Sequence, residues 1–170
     1  KKHPIIAVTG SSGAGTSIAK SAFMYIFRKH GIKPAIIDGD CFHRYDRNEM
    51  DKLSAEAEKK GKHLTHFGPE GNLFEELESV FSEYSKKGTG KRRFYIHDEK
   101  EASEHNSATG TLTSWEPLEE NTDLLFYEGL HGGLVTEKIN VAKHVDLLIG
   151  VTPIINLEWM QKINRDRAIR

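Results

Sequence analysis

A chain of 170 residues with 37% hydrophobic side chains is long enough to bury a core, because a domain of this size removes roughly two thirds of its unfolded surface from water. Its 24 Lys and Arg nearly cancel its 25 Asp and Glu, so no global field draws it to nucleic acid or an anionic membrane, and an anionic ligand must be met by a local site. The lone Cys41 excludes an internal disulfide and no apolar run reaches the roughly eighteen residues of a membrane span, so the expectation is one cytoplasmic domain over residues 1–170 with neither nucleic acid nor membrane as partner.

In chain order, Ile5 to Val8 is a short β-branched run that predicts a buried parallel strand, ended by the glycine-rich GSSGAGTS of residues 10–17. Ile18, Ala19, Ala22, Phe23, Ile26 and Phe27 recur at helical spacing, with Gly31 as the stop. PAIIDGD, residues 34–40, predicts a second strand with Asp38 and Asp40 at its C-terminal end. Residues 48–60 predict a surface helix with Met50, Leu53 and Ala57 on one face, closed by Gly61. HLTHFGPEG is loop-like, and Leu73, Phe74, Leu77, Val80, Phe81 and Tyr84 then make a strong amphipathic stripe ending near Gly88.

KRRFYIH reads as a strand or ribbon, and residues 99–121 carry weak signals throughout. DLLFYEG (123–129) and VDLLIGVTP (145–153) predict two further buried strands, the first ending in Glu128. Strands alternating with helices, beginning strand–loop–helix, predict an α/β domain with a mainly parallel sheet. The closing NRDRAIR is helical in pattern without a stop signal, which reads as the N-terminal part of a longer protein.

The glycine loop matches the Walker pattern G-x-x-x-x-G-K-[ST] at Gly10, Gly15 and Ser17, but Thr16 stands where the lysine belongs. Such a loop, here Gly10, Ser11, Ser12, Gly13, Ala14, Gly15, Thr16 and Ser17, binds phosphate through backbone N–H groups and the helix N-terminus, and its last hydroxyl holds Mg²⁺. With no lysine, positive charge on the phosphates must come from elsewhere. Gly88 to Lys91 superficially suggests another phosphate loop but follows a helix, and reads as a solvated turn.

In parallel sheets ligands gather at the C-terminal strand ends. Glu128 there is placed to serve Mg²⁺ or its water shell, and Asp40 is suited to act as general base. Asp38, two residues earlier, projects to the same face of a strand, so alternation alone leaves it open as a second candidate. His43, Arg44 and Arg47 follow Asp40, arginine being the usual reader of a sugar phosphate. Lys162 and Arg165, three residues apart on one helical face, could supply the charge that Thr16 lacks, and Arg167 and Arg170 lie nearby. His63 and His66 have ligand-pair spacing, but no further His or Cys pair accompanies them to hold zinc.

Five segments in order, IIAVTGSSGAGTS, GDCFHRYDR, HFGPEGN, LLFYEGLHGG and PIINLEWMQKINRDR, closely resemble the bacterial form of phosphoribulokinase, whose loop also carries threonine in place of lysine. The resemblance implies a three-layer P-loop fold like that of the nucleoside monophosphate kinases, C-terminally truncated in this chain. It also implies transfer of the γ-phosphoryl of ATP to the C1 hydroxyl of ribulose 5-phosphate with Mg²⁺. In its terms Asp40 is the base and Glu128, with Ser17, serves the metal. His43 and Arg47 contact the sugar phosphate, Lys162 and Arg165 act on the transferring phosphoryl, Arg170 is a further phosphate contact, and His97 and His131 border the substrate pocket as substrate-binding residues. It further implies a homo-oligomer, with oligomer contacts and, in some members, an NADH site beyond Arg170. The alternatives are a kinase of uridine or pantothenate, which usually keeps the loop lysine, and a nucleotide-binding regulator without catalysis.

Overall fold

The computed structural model describes residues 3–11, 13–152, 159–160, 162–164 and 167. Its main sheet is built from β1 (Ile5–Gly10), β2 (Pro34–Asp38), β5 (Leu124–Glu128) and β6 (Leu147–Val151), in the order β2-β5-β1-β6 with every pair parallel. Around it lie α1 (Thr16–Lys29), α2 (Arg47–Lys59), α3 (Phe74–Lys87) and α4 (Glu99–His105). A two-stranded antiparallel ribbon pairs β3 (Lys91–Arg92) with β4 (Glu116–Pro117).

Strand alternation sorts the sheet's side chains into two cores. Ile5, Ala7, Ala35, Ile37, Leu125 and Tyr127 pack with Phe74, Leu77, Val80, Phe81 and Tyr84 of α3. On the opposite face Val8, Leu124 and Phe126 pack with Phe27, Phe23 and Ala19 of α1. The sheet is therefore the middle of three layers, burying both faces as parallel sheets do. No described helix is long and apolar enough to cross a membrane.

Several expectations need correction. The α1 stripe is narrower than its pattern: Ala19, Phe23 and Phe27, each four residues apart, meet the sheet, whereas Ile18 is 72% exposed and Ile26 and Ala22 are exposed too. The last strand is not buried, because β6 forms the edge of the described sheet and leaves Leu147 and Leu148 exposed. In the segment of weak signals the structure has α4, whose Asp98 caps the N–H groups of Lys100 and Glu101, and the short β4. The strand predicted through Asp40 ends at Asp38, and residues Gly39–Phe42 turn into a 3₁₀ helix capped by the Asp38 side chain.

Candidate active site

Three strand ends build the site. β1 delivers the chain into the glycine loop, where Gly13 and Gly15 adopt φ of 89° and 97°, a left-handed region that costs a side-chain-bearing residue strain. Gly10 is required for a different reason: a Cβ there would lie 2.8 Å from Val151 O and 2.9 Å from Thr16 Cγ2. The Ala14 N–H donates to Ser11 O at 2.9 Å and closes the loop. Helix α1 then starts at Thr16 with no side-chain cap from Gly15 and no acid in its first turn, so the positive end of its dipole faces the loop without a competing carboxylate of its own.

β2 and β5 bring the acids. Asp38 and Glu128 stand opposite each other in the register of the two strands, and alternation turns both toward α1. There Lys20, one helical turn past Thr16, places Nζ 3.7 Å from Asp38 Oδ2 and 3.8 Å from Glu128 Oε2. Burial and the neighbouring Asp40 charge push the Asp38 carboxyl above its ordinary value, with Lys20 opposing them. Asp40 does not share this arrangement. The 3₁₀ turn lifts it off the strand, its N–H bonded to Asp38 Oδ1 at 3.0 Å, so the two acids do not share one strand face as alternation predicts. Both acids are half exposed and line a cleft of about 360 Å³ with Lys20, Arg93, Tyr95 and His97, but Asp38 also caps the turn and pairs with Lys20, whereas Asp40 faces His43 and His97.

Two imidazoles hold Asp40: His43 Nε2 is 3.3 Å from Oδ1 and His97 Nε2 is 3.5 Å from Oδ2. Burial works to raise the Asp40 carboxyl, but the hydrogen bond and charge of His43, with His97 and His66 adding, outweigh it and keep Asp40 below the usual carboxylate range. The converse holds for His43, where burial works downward and is outweighed by Asp40 and by Asn72, so the ring stays charged above its ordinary range. An ionised carboxylate facing a cleft is equipped to take a proton from a hydroxyl.

The other expected residues spread around this centre. Arg47 opens α2 and lies near Tyr95, whose ring packs against that of His43. His131 lies on the other side, its Nε2 3.0 Å from Phe67 O and its ring 4.7 Å from that of Phe74, in a separate depression with Thr9 and Leu134. Lys162 is helical and exposed. Ser12, Arg165 and Arg170 lie outside the described residues.

Sequence reasoning missed Lys20, Asn72, Arg93 and His66. Lys20 had a usable signal, since a residue four past Thr16 falls on the same helix face one turn along. Arg93 had none. It donates from Nε to Cys41 O at 2.8 Å and from Nη2 to His43 O at 2.5 Å, bracketing the Asp40 turn with its plane over the Trp115 ring. His66 stands beside His43, their ring centroids 5.6 Å apart, and among the described residues no three His, Cys, Asp or Glu side chains converge for a metal.

The match to known families decides what this geometry belongs to. A model of the phosphoribulokinase / uridine kinase family matches residues 5–170. The chain belongs to that family. Among its relatives, a phosphoribulokinase of Nitrobacter vulgaris is 55% identical over 171 residues, covering 100% of this chain and 59% of the relative. A probable phosphoribulokinase of Escherichia coli K12 is 55% identical over 169 residues, covering 99% of this chain and 58% of the relative. The solved phosphoribulokinase of Rhodobacter spheroides superposes with a TM-score of 0.86 at 46% identity, over 99% of this chain and 58% of that one.

The chain thus has the P-loop kinase fold and spans about three fifths of the length of these relatives. For a divalent cation, a phosphoribulokinase / uridine kinase family member with this site offers hard oxygen donors, the largely buried Glu128 carboxylate and the Ser17 hydroxyl. Two such donors suit Mg²⁺, which keeps several waters and takes further oxygens from substrate phosphates.

Proposed function

We propose that the protein of which this chain forms part transfers the γ-phosphoryl group of ATP to the C1 hydroxyl of ribulose 5-phosphate. The observation that carries this reading is Asp40, ionised between His43 and His97 at the mouth of the cleft. Relatives named phosphoribulokinase at 55% identity, and Thr16 in the loop, favour this acceptor over a nucleoside.

In this reading the loop from Gly10 to Ser17 holds the ATP phosphates, and Ser17 and Glu128 would hold Mg²⁺, which would neutralise charge on the transferring group. Asp40 accepts the proton of the sugar's C1 hydroxyl as that oxygen bonds to the γ-phosphorus and the bond to the β-phosphate oxygen breaks, releasing ADP. His43, Arg47, His97, His131 and Arg170 receive the sugar phosphate. Lys162 and Arg165 act on the phosphoryl in flight, with Lys20 as a further cation at the acid pair. The protein works in the cytoplasm as a homo-oligomer.

ADP release by the full-length protein tests this against a panel of phosphorylated sugars, free sugars, uridine and pantothenate. Turnover greatest with ribulose 5-phosphate is expected. Turnover confined to uridine or pantothenate would replace this reading with that of another small-molecule kinase, and nucleotide binding without turnover on any acceptor would make the protein a regulator.

A further inference from the structure

Asn72 is the one fully buried residue among the described residues that is polar or charged and non-aromatic, at 1% exposure. It lies in the HFGPEGN segment just ahead of α3, where a short polar side chain would read as a helix cap, but Leu73 occupies the cap position and no side chain caps the helix. The backbone around it is stitched to the Asp40 turn: Leu73 N–H donates to Phe42 O and Arg44 N–H to Gly71 O, both at 2.8 Å.

The Asn72 amide has one orientation available. Nδ2 donates to His66 O at 2.7 Å and to Gly68 O at 2.8 Å, and carbonyls only accept. Oδ1 is therefore the atom left against His43 Nδ1, at 3.1 Å, and Nδ1 must carry a hydrogen. The other ring nitrogen, Nε2, faces Asp40 Oδ1 at 3.3 Å. An ionised carboxylate also only accepts, so both nitrogens of His43 face acceptors and only the imidazolium satisfies both.

We propose that Asn72 is a positioning residue for phosphoryl transfer, which locks the His43 ring in orientation and in its doubly protonated form so that Asp40 stays ionised and faces the cleft. The proposal rests on the reading of Asp40 as the base. It acts as a chain, from the carbonyls of His66 and Gly68 through the Asn72 amide and the His43 ring to the carboxylate, and each link is directional. The loop of residues 66–68 thereby sets the state of a base on another segment.

Other groups face the same pair. His97 reaches the second Asp40 oxygen, and the rings of His66 and Tyr95 lie against His43 with centroids 5.6 and 5.5 Å away. Asp38 lies behind the turn, the Arg93 guanidinium sits on His43 O, Arg44 donates to Asn72 O, and His131 and Arg47 lie farther out. Among the described residues none of them contacts His43 Nδ1 in place of Asn72, so the amide fixes that nitrogen as a donor.

The test is ¹⁵N NMR of the full-length protein labelled at histidine, with His43 assigned through the resonance lost in His43→Gln. Both His43 nitrogens should be protonated at neutral pH. In Asn72→Ala the His43 midpoint should fall, and with the imidazolium weakened the acid limb of kcat/KM should move to higher pH. Its kcat should drop by about tenfold while KM for ATP stays within about twofold. Asn72→Asp, which keeps an oxygen against Nδ1, should keep the His43 midpoint raised.

A wild-type His43 with one bare nitrogen at neutral pH overturns the proposal, and that measurement stands if Asn72→Ala fails to fold. A folded Asn72→Ala with its His43 midpoint and acid limb unmoved overturns it as well. Failure to phosphorylate ribulose 5-phosphate, with the His43 resonances as expected, would instead overturn the functional reading beneath it.

Discussion

Asp40 and His43 are each held away from their ordinary titration range by the other, and the signs of the two shifts define a window. Asp40, lowered, contributes stability that is present above the unfolded carboxylate value and lost as pH falls through its folded value. His43, raised, contributes stability that is present below the unfolded imidazole value and lost as pH rises through its folded value. The pair should therefore stabilise the fold most between about pH 4 and pH 6.5. His43→Gln should flatten the stability profile across that window in denaturant titrations, and should move the acid limb of kcat/KM upward because burial then acts on Asp40 with less opposition. Asp40→Asn should lower kcat by about a thousandfold or more while leaving the dissociation constant for ATP nearly unchanged, as removal of a base and not of a nucleotide contact. Loss of ATP binding in that variant would mean that Asp40 has another role. Lys20→Met would leave Asp38 and Glu128 facing each other across adjacent strand ends, and a fall in kcat of about tenfold to a hundredfold is expected in steady-state assays. At this scale the sequence showed which acids sit at strand ends, because a hydrophobic run closing on an acid is a local pattern. It could not show that Asp38 is consumed as a cap, nor that Asn72 reaches His43, since the first depends on where a strand stops and the second joins residues 29 positions apart.

The elements explain why the acids meet at all. The ends of β2 and β5 approach so closely at Gly39 and Gly129 that a Cβ on Gly39 would lie 2.5 Å from Tyr127 Oη and 2.9 Å from Gly129 Cα. Tyr127 is fully buried under that crossing and cannot swing aside. Gly39→Ala should destabilise the protein by about 1–3 kcal/mol in denaturant unfolding and lower kcat by displacing the Asp40 turn. On its outer side β2 has no partner strand in the described sheet; Arg92 donates there to Ile36 O, and Arg93 donates to Cys41 O and His43 O in the turn that follows. The Arg92 guanidinium thus satisfies an edge carbonyl that would otherwise be left to solvent or to another chain. The capping box of α2, in which Asp46 Oδ1 accepts from Glu49 N–H and Glu49 Oε2 from Asp46 N–H, fixes where Arg47 emerges beside Tyr95. Helices α2 and α3 were legible from periodicity because each is long enough to show its apolar stripe, α3 with five buried side chains and α2 with Met50 buried and Leu53 and Ala57 half-buried. Helix α4 was not, since its seven residues bury only Ala102 and its start depends on the Asp98 cap. The α1 stripe read too wide because Ile18, Ala22 and Ile26 obey the helical period without meeting the sheet.

For the whole molecule, the parallel order β2-β5-β1-β6 puts the glycine loop, the acid pair and the Asp40 turn at one end of a three-layer core, so the site is a property of the topology. That much followed from strands alternating with helices. The exposed leucines of β6, and Trp159, Met160 and Ile163 at 43–64% exposure, were not foreseen, because an apolar strand reads as buried whatever its place in the sheet. The chain spans about three fifths of its relatives, so the decisive measurement belongs to the full-length protein. It is ³¹P NMR of the products formed from ATP and ribulose 5-phosphate. The account predicts ADP and a sugar carrying a second phosphomonoester, at C1, formed together and in equal amounts. Inorganic phosphate released with ADP while ribulose 5-phosphate stays unchanged would contradict it.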